Sequence, residues 1–184
     1  MTDTAADEKA KLRTTAMLRR AEAARTVRGA ADAIAAHARS LPAAAVVSGY
    51  LPIRDEIDPR PLMASLAPGT RIALPRIDPD GMRFLVMGPG DTMRAGRFGL
   101  TEPASGEEVV PDLLLVPLLG FTREGARLGY GKGHYDRYLA AHPGRATVGL
   151  AYAAQEFAAL PVEPHDQPLA AILTEVELIE IPPR

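Results

Sequence analysis

Three short apolar runs constrain this chain most: AAVV (44–47), DLLLV (112–116) and TVGL (147–150). None approaches the ~20 apolar residues of a membrane span. Bounded by Pro and Gly, they read as strands. None alternates between apolar and polar residues, as expected of strands covered on both faces. The pattern predicts an α/β fold with a mainly parallel central sheet. Further strands are expected within 70–77, 82–87 and 169–181, with the three runs extending to 44–51, 112–121 and 146–152. Residues 5–39 are rich in Ala, Arg, Glu and Lys and lack Pro, which favours helix, with Gly29 as a break. Shorter helices are expected at 58–67 and 135–142, and 88–111 reads as one long irregular segment. A loop of that length in a compact domain is often functional.

At 184 residues the chain suffices for one domain, expected over 1–184. A net charge of −2 gives no global field for nucleic acid or an acidic membrane, so any anion site is local. The absence of cysteine removes thiolate nucleophiles, thiolate metal sites and disulfides together. It fits a reducing compartment. The first residues, MTDTAADEKAKLRTT, carry acids and have no apolar core, so no signal peptide is expected and the cytoplasm is the expected location.

The densest chemistry lies in RLGYGKGHYDRYL (127–139). Gly129, Gly131 and Gly133 follow an apolar strand and precede an amphipathic run. At a helix start the first N–H groups lack internal partners and the dipole is positive. Glycines there permit positive φ and close approach, so successive N–H groups can cradle an anion. Lys132, Arg127 and Arg137 add positive charge. The loop is not a Walker A motif, since position 126 is Ala and Gly133 follows the lysine; nor is it a dinucleotide fingerprint, since position 134 is His. An ordinary glycine-rich turn is the competing reading, and local physics allows either.

Other polar residues have plain readings of their own. Lys9 and Arg13 are four apart on one helical face, which is usually a solvated basic face. Glu56 reads as a loop acid and Asp166, in EPHDQP, as a turn residue. Tyr50 and Tyr152 read as aromatics at the core edge. The four histidines show no metal-ligand spacing.

Together these signals carry a resemblance. KAKLR (9–13), GYLPIRDEID (49–58), LPRI (74–77), MRF (82–84), GRFGLTEP (96–103), the run 113–139 and the segment 148–175 stand in the order found in one family. On them the chain resembles the 5-formyltetrahydrofolate cyclo-ligases, also called 5,10-methenyltetrahydrofolate synthetases. It departs from the family pattern in having His134 where an aromatic is common, and in Leu118 and Gly120. The first change touches a ligand-facing position of the family.

The resemblance implies a three-layer α/β/α sandwich with a helical N-terminus, and a monomer that binds neither nucleic acid nor membrane. It implies consumption of ATP and 5-formyltetrahydrofolate with Mg²⁺, giving 5,10-methenyltetrahydrofolate, ADP and phosphate. Phosphorylation of the formyl oxygen would make it a leaving group, and N10 would close the ring. Such transfer needs alignment and charge neutralisation rather than a covalent residue. ATP contacts are implied for Lys9, Arg13, Arg127, Leu128, Gly129, Tyr130, Gly131, Lys132, Gly133, His134 and Tyr135, with roles in catalysis for Lys132 and Arg127. Folate contacts are implied for Leu51, Glu56, Tyr130, Gly131, Lys132, Gly133 and His134. Asp136 and Asp166 are implied to hold Mg²⁺. A non-catalytic paralogue would be expected to have lost Lys132, Asp136 or Glu56, and all three are present.

Overall fold

The computed structural model describes residues 5–182. Helix α1 (Ala5–Thr26) is followed by α2 (Ala30–Ala35), with the break at Gly29 (φ 70°). Next come β1 (Val46–Ser48), α3 (Arg60–Ala64), β2 (Arg71–Asp78), β3 (Gly81–Met87), β4 (Met93–Ala95), β5 (Thr101–Pro103) and β6 (Glu108–Val109). Strands β7 (Leu113–Pro117), β8 (Gly120–Phe121) and β9 (Arg127–Leu128) precede α4 (His134–Ala141). The chain closes with β10 (Ala146–Leu150), β11 (Ala171–Leu173) and β12 (Leu178–Glu180).

Eight strands form one sheet in the order β12-β11-β10-β7-β1-β2-β3-β6. From β11 to β2 all pairings are parallel, and antiparallel strands finish both edges. The apolar runs are the parallel centre, as their lack of alternation requires. Successive side chains leave opposite faces of each strand. Val47, Leu113, Leu115, Val148 and Leu150 pack with Ala23, Ile34 and Leu62 from α1, α2 and α3. Leu114, Val116 and Ile172 pack on the other face with Tyr138 and Leu139 of α4. Helices therefore cover both faces, giving the expected sandwich.

Three sequence expectations need correction. The segment 88–111 is not irregular throughout: β4 and β5 pair as a hairpin and β6 joins the sheet edge. The hairpin is held on β2 by buried Glu102, whose carboxylate accepts the Ile77 N–H (2.8 Å) and faces Arg94 (3.1 Å). The run 112–121 stops as a sheet strand at Pro117, and β8 instead pairs with β9 in a separate ribbon. The run 169–181 is a hairpin rather than one strand. Thr174 closes its turn: its N–H donates to the Glu177 carbonyl (2.9 Å), and its Oγ1 accepts the N–H groups of Val176 and Glu177.

The sheet also places the site. From β1 the chain moves to β2 on one side, then returns at β7 on the other, so the strand order reverses at β1. Open parallel sheets bind ligands beyond the strands' carboxyl ends at such a switch point.

Candidate active site

Beyond the ends of β1, β2 and β7 lies a cavity of about 660 Å³. Its wall includes the loop after β1, the glycine loop before α4, residues of α1, and the turn around Asp166. Every residue to which the resemblance assigns a ligand, catalytic or metal contact lines it: Lys9, Arg13, Leu51, Glu56, the ten residues 127–136, and Asp166.

The glycine loop hangs from the β8–β9 ribbon, which the Leu119 N–H ties to the Leu128 carbonyl (2.7 Å). Gly131 (φ 83°) and Gly133 (φ 63°) are left-handed, a conformation costly to other residues. Gly133 caps α4, and its carbonyl accepts the Arg137 N–H (3.0 Å). The expectation of positive φ fails at Gly129, which is not among the positive-φ residues. Its carbonyl instead accepts Nε–H of Arg13 (3.0 Å). The Arg13 guanidinium lies against Gly131: a Cβ there would stand 3.0 Å from its Cζ. Arg13 is thus part of the loop's wall. Lys132 is exposed, and His134 Nδ1 faces Nη2 of Arg137 at 3.2 Å. Burial first, then Arg137, Arg97 and Lys132, hold the His134 ring below its ordinary pKa.

Lys9 does not lie on a solvated face. Its ammonium is buried between Asp166 (2.5 Å) and Glu163 (2.7 Å). Burial alone would lower its pKa, but hydrogen bonds and charge from those two acids outweigh this and raise it. Asp166 shows the reciprocal effect. Burial pushes it up, but the hydrogen bonds from Lys9 and the Glu163 N–H, with the charges of Lys9 and His165, together outweigh this, and the carboxyl titrates below its ordinary range.

Arg127 is nearly buried. It donates to Asp136 (2.5 Å) and to the Gln167 carbonyl, and Asp136 also accepts the Gln167 N–H (3.1 Å). Asp136 thereby ties the start of α4 to the turn around Asp166. For a metal, the oxygen donors fit a hard cation such as Mg²⁺. Glu163, His165 and Asp166 each offer an atom within 4.8 Å of the others, and Asp136 lines the same cavity.

The cavity wall also carries Leu51, Ile53, Ile77, Met82 and Leu100 and, on the loop of Leu51 and Ile53, the carboxylate of Glu56. Glu56 Oε2 accepts the Ile53 N–H (2.9 Å), and Oε1 faces Nη1 of Arg20 (3.7 Å). Burial pushes the Glu56 pKa up; the Ile53 N–H, Arg20 and the Tyr130 hydroxyl oppose it without prevailing. The loop carrying Glu56 is pinned by Tyr50, whose Oη donates to the Ile57 carbonyl (2.9 Å), and turns through Arg54 at φ 52°. Such a conformation is uncommon for a non-glycine residue, and strain of this kind clusters at functional sites.

The cavity therefore joins a glycine loop flanked by cations, a group of acids, and apolar residues beside one buried carboxylate. The comparisons with known proteins give this arrangement a family. The model of the 5-formyltetrahydrofolate cyclo-ligase family matches residues 5–175. The chain belongs to that family. It is 34% identical to the 5-formyltetrahydrofolate cyclo-ligase of Escherichia coli K12 over 145 residues, covering 73% of this chain and 80% of the relative. The Mycolicibacterium smegmatis cyclo-ligase is 37% identical over 146 residues, 70% of this chain and 72% of the relative. Among solved structures, 5,10-methenyltetrahydrofolate synthetase of Aquifex aeolicus superposes with a TM-score of 0.80 at 31% identity, covering 94% of this chain and 92% of that one. No helix among the described residues is long and apolar enough to cross a membrane.

Sequence reasoning overlooked Arg20, which stands behind the cavity wall against Glu56 and Tyr130, and the Glu163–His165 flank of Asp166. A signal for Arg20 existed. Lys9, Arg13, Ala16, Arg20 and Ala23 recur at alternating steps of four and three, the spacing of one helix face. Four of these five, all but Arg13, are buried.

Proposed function

We propose that this protein is an ATP-dependent 5-formyltetrahydrofolate cyclo-ligase that releases 5,10-methenyltetrahydrofolate, ADP and phosphate. The supporting observation is the single cavity that gathers a glycine cradle, cations from α1, an acid group and the buried Glu56 in a chain of this family. An N-formyl oxygen is a poor leaving group. Moving the γ-phosphoryl of ATP onto it allows N10 to attack the formyl carbon, lose its proton, and expel the oxygen as phosphate.

The chain's task is alignment and charge neutralisation. N–H groups of residues 131–133, with Arg13 and Lys132, receive the triphosphate. Arg127, held by Asp136 and the Gln167 carbonyl, keeps α4 and the Asp166 turn in register around the transferring group. Glu56 accepts N–H groups of the pterin through charge-assisted hydrogen bonds. Leu51 and the apolar wall exclude water that would divert the phosphoryl group. Asp136 and Asp166 with Glu163 would hold Mg²⁺, which when bound neutralises charge on the phosphate oxygens. The working form is a cytoplasmic monomer.

Incubation with ATP, Mg²⁺ and 5-formyltetrahydrofolate, followed by the absorbance of methenyltetrahydrofolate and by phosphate release, tests the reading. One phosphate per ring closed, dependent on ATP, is expected. Binding of both ligands without product would overturn it in favour of a non-catalytic paralogue.

A further inference from the structure

The least expected group behind the cavity is Arg20. It lies two turns past Arg13, on the buried face of α1, with 2% of its surface exposed. Its Nη2–H donates to the Tyr130 hydroxyl at 2.6 Å, and its guanidinium carbon lies 5.5 Å from that ring's centroid. Nη1 faces Oε1 of Glu56 at 3.7 Å. Neither Nε nor Nη1 has a hydrogen-bond partner among the described residues. A buried guanidinium so thinly satisfied is a poor device for stability, since apolar residues of similar volume often replace buried charges without loss.

Its two neighbours are what the position has in common with the cavity. Glu56 sits on the loop after β1, and Tyr130 sits in the glycine loop after β9. The loops arrive from different parts of the chain, and Arg20 touches both. We propose that Arg20 is a positioning residue for the folate: from α1 it fixes the Glu56 carboxylate and the Tyr130 hydroxyl relative to each other. The carboxylate is thereby oriented beside the apolar residues of the cavity wall. Arg20 itself lies behind that wall and touches no ligand. This rests on the cyclo-ligase reading above.

The test is a cycle built from Arg20→Met and Glu56→Gln, read by calorimetric titration with 5-formyltetrahydrofolate and, separately, with ATP. Thermal melts run beside it, and wild-type turnover is the control. Arg20→Met is expected to weaken folate binding about tenfold, the size of coupling usual between residues in direct contact, while ATP binding stays within about twofold. Adding it to Glu56→Gln should weaken folate binding no further, because residues acting through one contact are not additive. Arg20→Lys should recover part of the loss. Additive effects, equal losses for both ligands, or a lowered melting temperature with unchanged folate affinity would each overturn the role. If Arg20→Met does not fold, the same cycle with Arg20→Lys decides by the same criterion. A wild-type protein that binds folate but yields no product removes the cyclo-ligase reading and leaves the cycle to decide on Arg20. One that binds no folate overturns both.

Discussion

Replacing Gly131 and Gly129 separately by alanine puts the geometry of the glycine loop to a sharp test, because the two substitutions add the same methyl group. At Gly131 the backbone is left-handed (φ 83°), which costs an L-residue roughly 1–2 kcal/mol. The new Cβ would also stand 3.0 Å from Cζ and Nη2 of Arg13, closer than side chains normally tolerate. Arg13 can retreat only by giving up its hydrogen bond to the Gly129 carbonyl, worth about 1 kcal/mol. The sum is about 2–3 kcal/mol. At Gly129 the φ is not positive and a Cβ meets nothing within 4 Å, so the change should stay within about 0.5 kcal/mol.

Where the Gly131 cost appears depends on whether the loop yields. If it holds its shape, the melting temperature falls by about 4–12 °C, given about 2–4 °C per kcal/mol for a chain of this size. If it relaxes, the cradle is lost and ATP binding weakens by roughly 30- to 100-fold, at 1.4 kcal/mol per decade. Melts and ATP titrations on both variants read both outcomes. Should Gly131→Ala match Gly129→Ala in melting temperature and in ATP affinity, the left-handed cradle walled by Arg13 is not how this loop works.

Three further perturbations address the charged groups. Lys132→Ala should fold normally and lose about 10²–10³ in kcat, the usual effect of removing one contact to a developing charge; turnover within about twofold of wild type would remove Lys132 from the reaction. Asp136→Asn should raise the Mg²⁺ concentration for half-maximal rate, with excess metal partly restoring activity. A lower melting temperature with an unshifted Mg²⁺ titration would reduce Asp136 to its clamp on Arg127 and Gln167. Glu56 has its pKa raised by burial, so folate affinity should fall as pH drops through a midpoint above the ordinary carboxylate range, and Glu56→Gln should flatten that limb and raise the folate KM but not the ATP KM. The stability effect has the opposite sign. A carboxyl whose folded pKa lies above its unfolded value adds stability below the unfolded pKa and loses it as pH rises through the folded one.

The central sheet was legible because burial on both faces leaves a chemical mark, and DLLLV needs no context to be read as an inner strand. The edges were not. The turn that splits 169–181 is built by Thr174 and Glu177 without Gly or Pro, so nothing in TEVE announces a reversal. The β4–β5 hairpin depends on Glu102 reaching the Ile77 N–H, a long-range bond that no local pattern encodes. At the site, the glycine loop could be found from composition and spacing. Its partners could not, because a lysine that will be buried between two acids reads in sequence like any surface lysine.

Helix α1 shows why that failure is physical. Its inward stripe is Lys9, Arg13, Ala16, Arg20 and Ala23; Ala16, with Leu12 and Met17 beside it, packs on Leu119, Leu128, Phe157 and Leu160, and Ala23 packs in the sheet core. Each cation meets a group of the cavity wall: Lys9 the acids of the Asp166 turn, Arg13 the Gly129 carbonyl, Arg20 the Tyr130 hydroxyl and Glu56. Those contacts are charge-assisted and partly or wholly shielded from water, so each is stronger than a surface pair. The helix is thus seated in part by groups that line the cavity, and its polarity, which reads as solvent exposure in the sequence, records a face turned toward that cavity.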